Sequence, residues 1–392
     1  MPFPSVFLMH RLRLVFLFAG TLLSCHRVAT DADPAPTPPA PIAVTTPTRV
    51  SVTLPVVYAA SFDGNLYALD TTTGLPRWTY RADTSLQSSP TVAYGNVYLG
   101  DNGSKFYAVD AQTGTLRWSF RTGASIYSSP TVADGRVFFG CQDHSLYALD
   151  ATTGRRLWTF TKAFGFYASP AVADGLVYAG CQDGNLYALD AQTGGLRWVF
   201  RTDYYVLSSP VVAGGIVYVG SNDNSFYAVD ARTGKLRWRF TKQNPFNSSP
   251  VVAANTVYVG GTDGYLYALD AQTGALRWAF QTGLEIVASP VVANGTVYIS
   301  SRDHYLYALD AGTGTQRWAF LTDFDVYATA VVSGRSVYVG SNDNSLYALD
   351  AQTGRRRWSF RTGGVIVAGP VLAQPGATAG TYPTISGNGK NP

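Results

Sequence analysis

Tyr227-Ala228-Val229-Asp230-Ala231-Arg232-Thr233-Gly234-Lys235-Leu236-Arg237-Trp238-Arg239-Phe240 is one copy of a sentence that the chain writes eight times. Its tryptophan falls at positions 78, 118, 158, 198, 238, 278, 318 and 358, spaced 40 apart, and the chain has no other tryptophan. A fixed period without insertions means one supersecondary unit copied in tandem. Upstream of the quoted stretch, Val217-Tyr218-Val219 is a β-rich run closed by the turn text Ser221-Asn222-Asp223-Asn224. Phe226 to Val229 is a second run, and Asp230 to Gly234 a second turn. Leu236 to Phe240 alternates apolar and polar residues, and Pro250-Val251-Val252-Ala253 follows after a loop. Short runs of Val, Tyr, Phe and Trp broken by Asn, Asp and Gly read as antiparallel hairpins.

Four short strands per unit, eight times over, is the arithmetic of an all-β, eight-bladed β-propeller with four-stranded antiparallel blades. A linear solenoid would need polar capping repeats at its ends, and the first and last units are as regular as the middle ones. Ser-Pro-(Val/Thr/Ala)-Val-Ala suits the narrow strand beside the axis, where a proline costs no ladder hydrogen bond. The order within a blade is then inner strand, Val-Tyr strand, Tyr-Ala strand, outer Trp strand. The repeat frame begins at Val57 on a second strand, so the first blade lacks an inner strand of its own. The surplus copy Gly369-Pro370-Val371-Leu372-Ala373 is expected to close it, with Val50-Ser51-Val52-Thr53 as the competing candidate. Closure removes an open sheet edge.

Residues 1–24 read as a secretory signal: His10, Arg11 and Arg13 precede a short apolar run from Leu14 to Leu23. Leu22-Leu23-Ser24-Cys25 resembles a bacterial lipobox, which makes Cys25 the lipidated first residue of the mature chain. Residues 25–48 are a Pro/Thr/Ala-rich tether. The propeller is assigned to 49–376 and a disordered tail to 377–392. This layout predicts a monomeric propeller attached to a membrane by its lipid alone, in the cell envelope, at the outer membrane or cell surface. A net charge of +4 over 392 residues carries no nucleic-acid signal. Cys141 and Cys181 occupy the same place in adjacent units. An eightfold ring would hold them about 9 Å apart, beyond the ~7 Å reach of a disulfide, so they read as small core residues; a strained bridge is the alternative.

Ala-x-Asp-x-x-Thr-Gly-x-x-x-Trp resembles the tryptophan-docking motif of the PQQ-like (quinoprotein-type) β-propeller repeat family, over residues 57–373. The resemblance implies eight blades. It also implies one of two roles. Quinoprotein dehydrogenases of this kind bind pyrroloquinoline quinone and calcium in the axial funnel. BamB-like outer-membrane lipoproteins are non-enzymatic and work in outer-membrane protein assembly. A quinoprotein needs a Trp floor beneath its cofactor, whereas Trp78, Trp118, Trp158, Trp198, Trp238, Trp278, Trp318 and Trp358 all stand at the structural docking position. Glu285 is the only glutamate. His144 and His304 lie four units apart, across the ring, and cannot share a metal. The first-turn Asp series, broken at Gly103, lacks the Asp-x-Asp-x-Asp-Gly pattern of a calcium loop. The expectation is no catalytic residue, no metal and no cofactor.

The loops that follow the Trp strands vary between units where the strands and Thr-Gly turns do not. Three consecutive loops supply Phe164, Phe166, Tyr167, Tyr204, Tyr205 and Phe246. Aromatic residues gathered on one rim are the chemistry of interface anchors. They are the candidate partner-binding residues, for a protein partner, with a glycan or polymer as the alternative ligand. The opposing reading has several of them plugging the funnel.

Overall fold

The computed structural model describes residues 55–373. Its strands make eight four-stranded antiparallel sheets, and no helix occurs among the described residues. Blade two shows the plan: β4 (Thr91–Ala93), β5 (Asn96–Gly100), β6 (Lys105–Asp110) and β7 (Leu116–Arg121), paired in that order. Blade one is β3 (Pro76–Arg81), β2 (Asn65–Asp70), β1 (Val56–Ala60) and, from the other end of the chain, β32 (Val371–Ala373). Val56 faces Ala373 and Tyr58 faces Val371 across that pairing. The C-terminal copy therefore closes the ring, as its match to the repeat text predicts. Val50–Thr53 lies outside the described residues, as do the signal segment, Cys25, the tether and the 377–392 tail.

The inner strands are short because they line the axis. Each touches the inner strand of the next blade, around to β32 beside β4. The Ser-Ser-Pro text that precedes them locks the neighbours together. Ser129 N–H donates to Ser169 Oγ at 2.8 Å, Ser169 N–H to Ser209 Oγ at 2.9 Å, and Gly369 N–H to Ser89 Oγ at 2.8 Å across the closure. Between blades lie the cores. Phe106 and Ala108 of blade two pack with Val137, Phe139 and Tyr147 of blade three.

A β-bulge recurs in every outer strand. Ala108 faces Trp118, but the next residue, Val109, faces Leu116. The extra residue, Arg117, is thereby re-aimed, a usual effect of a bulge. Its guanidinium lies 2.5 Å from Asp110 at the start of the Thr-Gly turn.

Candidate functional site

One face of the ring is built from docking parts. Asp110 Oδ1 accepts the N–H groups of Gln112 at 2.9 Å and Thr113 at 2.7 Å, which fixes the turn. Gly114 then takes φ +73, and a Cβ there would lie 2.7 Å from the Trp78 ring of the preceding blade. Only glycine fits both conditions. Trp78 Nε1 donates to Ala111 O at 3.2 Å, and Tyr58 Oη donates to the same carbonyl at 2.7 Å. The closure repeats this: Trp358 Nε1 donates to Thr71 O at 3.0 Å. All eight indoles are spent in this way, each on the next blade's turn. Seven of the turns also carry the Asp–Arg pair; the third has Leu157 where the arginine would stand. The Arg277 guanidinium, with the turn N–H groups, holds the Asp270 carboxyl down at about 2.

The opposite face carries the first hairpin turns and the loops after the Trp strands. The hairpin aspartates are structural. Asp143 takes the Ser145 N–H at 3.1 Å, the Tyr147 hydroxyl at 2.7 Å and the Gly123 N–H of the preceding loop at 2.8 Å. Where Gly103 breaks the series, Asp101 supplies the carboxylate from two residues earlier and receives the Tyr107 hydroxyl at 2.9 Å.

The six candidate partner-binding aromatics divide. Phe164 and Tyr204 are 48% and 52% exposed, and Tyr167 is partly exposed. Tyr205 is half-buried, with its ring centroid 4.3 Å from that of Tyr204. Phe166 and Phe246, by contrast, have no exposed surface and sit in the cores between blades. These two are corrected from interface anchors to core residues. They plug the gaps between blades, not the funnel. The cause is a column visible on realignment. Leu86, Ile126, Phe166, Val206, Phe246, Ile286, Val326 and Ile366 stand at the same step of the eight loops, and all are fully buried. A backbone bond fixes each, as from Phe166 N–H to Cys141 O at 3.1 Å. Facing it is a strand glycine: a Cβ at Gly140 would meet Phe166 Cβ at 2.6 Å. Two residues earlier, the column is free. It holds Phe164 and Tyr204, and also Leu284 and Phe324, 54% and 59% exposed. The sequence reading passed over those last two, and the free column is the signal that finds them.

Several charges on this face are engaged by neighbours. Lys162 lies over the Phe160 and Tyr187 rings at 4.7 and 5.0 Å, and Lys242 over Phe240 and Tyr267 at 5.0 and 4.9 Å. Arg302 holds Glu285 at 2.6 Å and Asp325 at 3.3 Å, and His304 lies 3.2 Å from Asp325.

The donor set does not fit a quinone with its calcium ion. The indoles are committed to docking, and the single glutamate is paired with Arg302. Among the described residues no group of three or more His, Cys, Asp or Glu could hold a metal. Cys141 and Cys181 are free and buried, not bridged. Burial pushes their thiols up to about 11 and about 12, so neither is a nucleophile at neutral pH.

Fold and docking motif together define the class: an eight-bladed propeller of PQQ-type repeats. The family described as outer membrane protein assembly factor BamB matches residues 33–119, 63–199 and 162–360, and the chain belongs to it. BamB from Moraxella catarrhalis is a similar structure, with a TM-score of 0.64 and 19% identity over 71% of this chain and 89% of that one. The computationally designed Ika8 protein aligns with a TM-score of 0.65 and 19% identity, covering 72% and 90%. A europium-containing methanol dehydrogenase aligns with a TM-score of 0.64 and 15% identity, covering 73% and 80%. No curated protein matches the sequence. A scaffold shared by an assembly factor, a designed protein and a dehydrogenase carries no activity by itself.

Proposed function

We propose that this chain is a non-enzymatic, lipid-anchored propeller that binds a protein partner through its loop face, in BamB-like work at the outer membrane. The observation that carries the reading is the aromatic group of exposed Phe164 and Tyr204 with half-buried Tyr205 beside them. Nothing in the ring's construction requires aromatic residues there. Rigid rings with polar tips are the usual anchors of protein interfaces. Family membership and the likeness to BamB support the same direction. The poor fit to a quinone weighs against the dehydrogenase alternative. Cys25 carries the proposed lipid, and the chain works as a monomeric propeller without a cofactor and without nucleic acid.

The test is capture from detergent-solubilised envelopes with a C-terminally tagged chain. A partner retained by the wild type and lost with Tyr204→Ser/Tyr205→Ser supports the reading. Retention by both means the loop face is not the working one. Fractionation of Cys25→Ala reads out the anchor: wild type with membranes and the variant in the soluble fraction is the expected split.

A further inference from the structure

Five blades place a carboxamide at the second residue of the first hairpin turn: Asn102, Gln142, Gln182, Asn222 and Asn342. The backbone holds each against the loop of the preceding blade, as from Asn102 N–H to Ser85 O at 3.0 Å and from Asn222 N–H to Tyr205 O at 2.9 Å. Four of the five leave one side-chain atom unsatisfied, although Asn102 Nδ2 donates to Ser85 Oγ at 2.9 Å. Asn102 Oδ1, Gln142 Nε2, Asn222 Oδ1 and Asn342 Oδ1 are buried without a hydrogen-bond partner among the described residues. Asn247 Oδ1 is a fifth such atom, from the loop residue that leads toward the inner strand of blade six. Only one further orphan, Arg136 Nε, lies elsewhere. Buried amide atoms are ordinarily paired. Five orphans confined to one band of a regular ring are a repeated feature of the design.

The band has shape as well as polarity. A Cβ at Gly165 would lie 2.9 Å from both Gln142 Oε1 and Gln182 Oε1, so the loop glycine lets carboxamides of adjacent blades converge. Tyr127 and Tyr167 stand in the same column as Asn247, three residues before the prolines that open the inner strands, and hence at the axial end of this face. Their ring centroids lie 5.3 Å apart, across two blades. From blade two to blade five the carboxamide and tyrosine columns hold no charged residue, and the hairpin carboxylates beside them, Asp101, Asp143, Asp183 and Asp223, are each engaged by a tyrosine hydroxyl. Arg302, further round, is already neutralised by Glu285 and Asp325.

A carboxamide offers a donor and an acceptor in one plane, the match for a pair of neighbouring hydroxyls. A tyrosine ring offers an apolar face for the C–H side of a pyranose, and a hydroxyl beside it. An uncharged band of amides and aromatic faces suits a neutral polyol. A peptide backbone would use the amides but has no pyranose face to set on the rings. We infer that the axial end of the loop face, over blades two to five, is a binding site for a neutral oligosaccharide. It lies inward of the exposed step that holds Phe164 and Tyr204, and it does not depend on the partner-binding proposal.

The experiment is retention of the full chain, in detergent, on an array of neutral and anionic oligosaccharides, followed by calorimetric titration of the best soluble hit. Retention on neutral glycans is expected, with one-to-one binding. Gln142→Ala/Asn222→Ala should weaken it at least tenfold, and so should Tyr167→Ala, with the melting temperature of each variant measured alongside to show that the ring is intact. Tyr204→Ser alone, at the outer step of the loop, should leave it unchanged. No retention on any glycan, retention on anionic glycans alone, or affinity unaffected by the amide and Tyr167 changes overturns the inference. Displacement of the bound glycan by a neutral alanine hexapeptide at equal concentration overturns it too, since the amides would then be reading a main chain.

Discussion

The two faces of the ring are cut from the same eight repeats, and they differ in what touches them. On the Thr-Gly face each turn lies against the neighbouring blade's tryptophan. A side chain added at Gly314 would sit 2.6 Å from Trp278. On the loop face, Phe164, Tyr204, Leu284 and Phe324 stand at a step that no neighbouring blade covers, each about half exposed. Uniformity marks the places where one blade is another's wall. Variety marks the places where nothing inside the molecule sets the residue. The loops contain both kinds two residues apart, so the division runs between columns, not between segments.

The largest expected effect concerns the frame from which both faces hang. Deleting residues 368–392 removes β32, and with it the partner of Val56–Tyr58. It also removes Ala368 from its core cluster. The first blade would then open toward the axis and break the ring of inner strands. The stability loss should exceed about 5 kcal/mol, beyond the range of most single changes. Deleting only 377–392 should leave the melting temperature in place. Chemical denaturation of the two truncations side by side decides the point, and equal losses would mean that β32 does not carry the closure.

A second pair of variants divides the loop face itself. Phe246→Ala empties a buried site between blades and should cost about 3–5 kcal/mol of stability. Tyr204→Ser/Tyr205→Ser removes rings that the fold does not need. It should leave the melting temperature nearly unchanged while weakening partner capture at least tenfold, the loss of an anchor worth about 2 kcal/mol. If the tyrosine changes cost as much stability as Phe246→Ala, exposure has been misread as freedom, and the contrast between columns fails.

This pair also marks what the sequence could tell. The fold was legible because every level agreed: period, strand runs, turn residues and docking tryptophans. The inner strand at Val371–Ala373 was legible because it repeats the Ser/Gly-Pro text of the others. The candidate site was legible only in outline. Phe166 reads as a rim aromatic when its loop is read alone, since Phe-Gly-Phe-Tyr looks like variable text. Stacked with Leu86, Ile126 and Ile366 it is one of eight apolar residues facing a strand position that is mostly glycine, and that is a core signature. The carboxamide band was missed for another reason. Asn and Gln in Asx-type hairpin text read as turn formers. Their unpaired atoms exist only once the preceding loop is laid across them.

Acid separates the two faces on a smaller scale. Asp270, Asp310 and Asp350 are each held at about 2, chiefly by the arginine across the bulge. An ordinary aspartate sits near about 4. A carboxyl lowered on folding adds stability that is whole above the unfolded value and fades as pH falls through the folded one. Melting temperature should therefore hold down to about pH 4 and decline toward about pH 2. Arg277→Met should shrink that decline, because it releases the Asp270 carboxyl. A decline centred well above pH 4 would point to groups other than the Thr-Gly turns.

The smallest effect tests blade three, the one turn where the Thr-Gly face departs from its own rule. Leu157 stands where the other outer strands carry arginine, and Asp150 is lowered by Thr153 and the turn N–H groups instead. The bulge is unchanged there, with Ala148 facing Trp158 and Leu149 facing Arg156. An arginine at 157 would therefore emerge in the same direction as Arg117 does from its own bulge. Its aliphatic stem can cover much of the apolar surface that Leu157 now packs against, while the head reaches the carboxylate. Exposed pairs of this sort are worth about 0.2–1 kcal/mol. Leu157→Arg should raise stability by an amount in that range at neutral pH, and the gain should shrink toward about pH 2 as the carboxylate takes up its proton. Denaturant melts at the two pH values read both effects. A loss of more than about 1 kcal/mol at neutral pH would show that leucine packing outweighs the ion pair at this turn. The departure in blade three would then be an accommodation to its own core, and uniformity on that face would rest on the indole and the glycine alone.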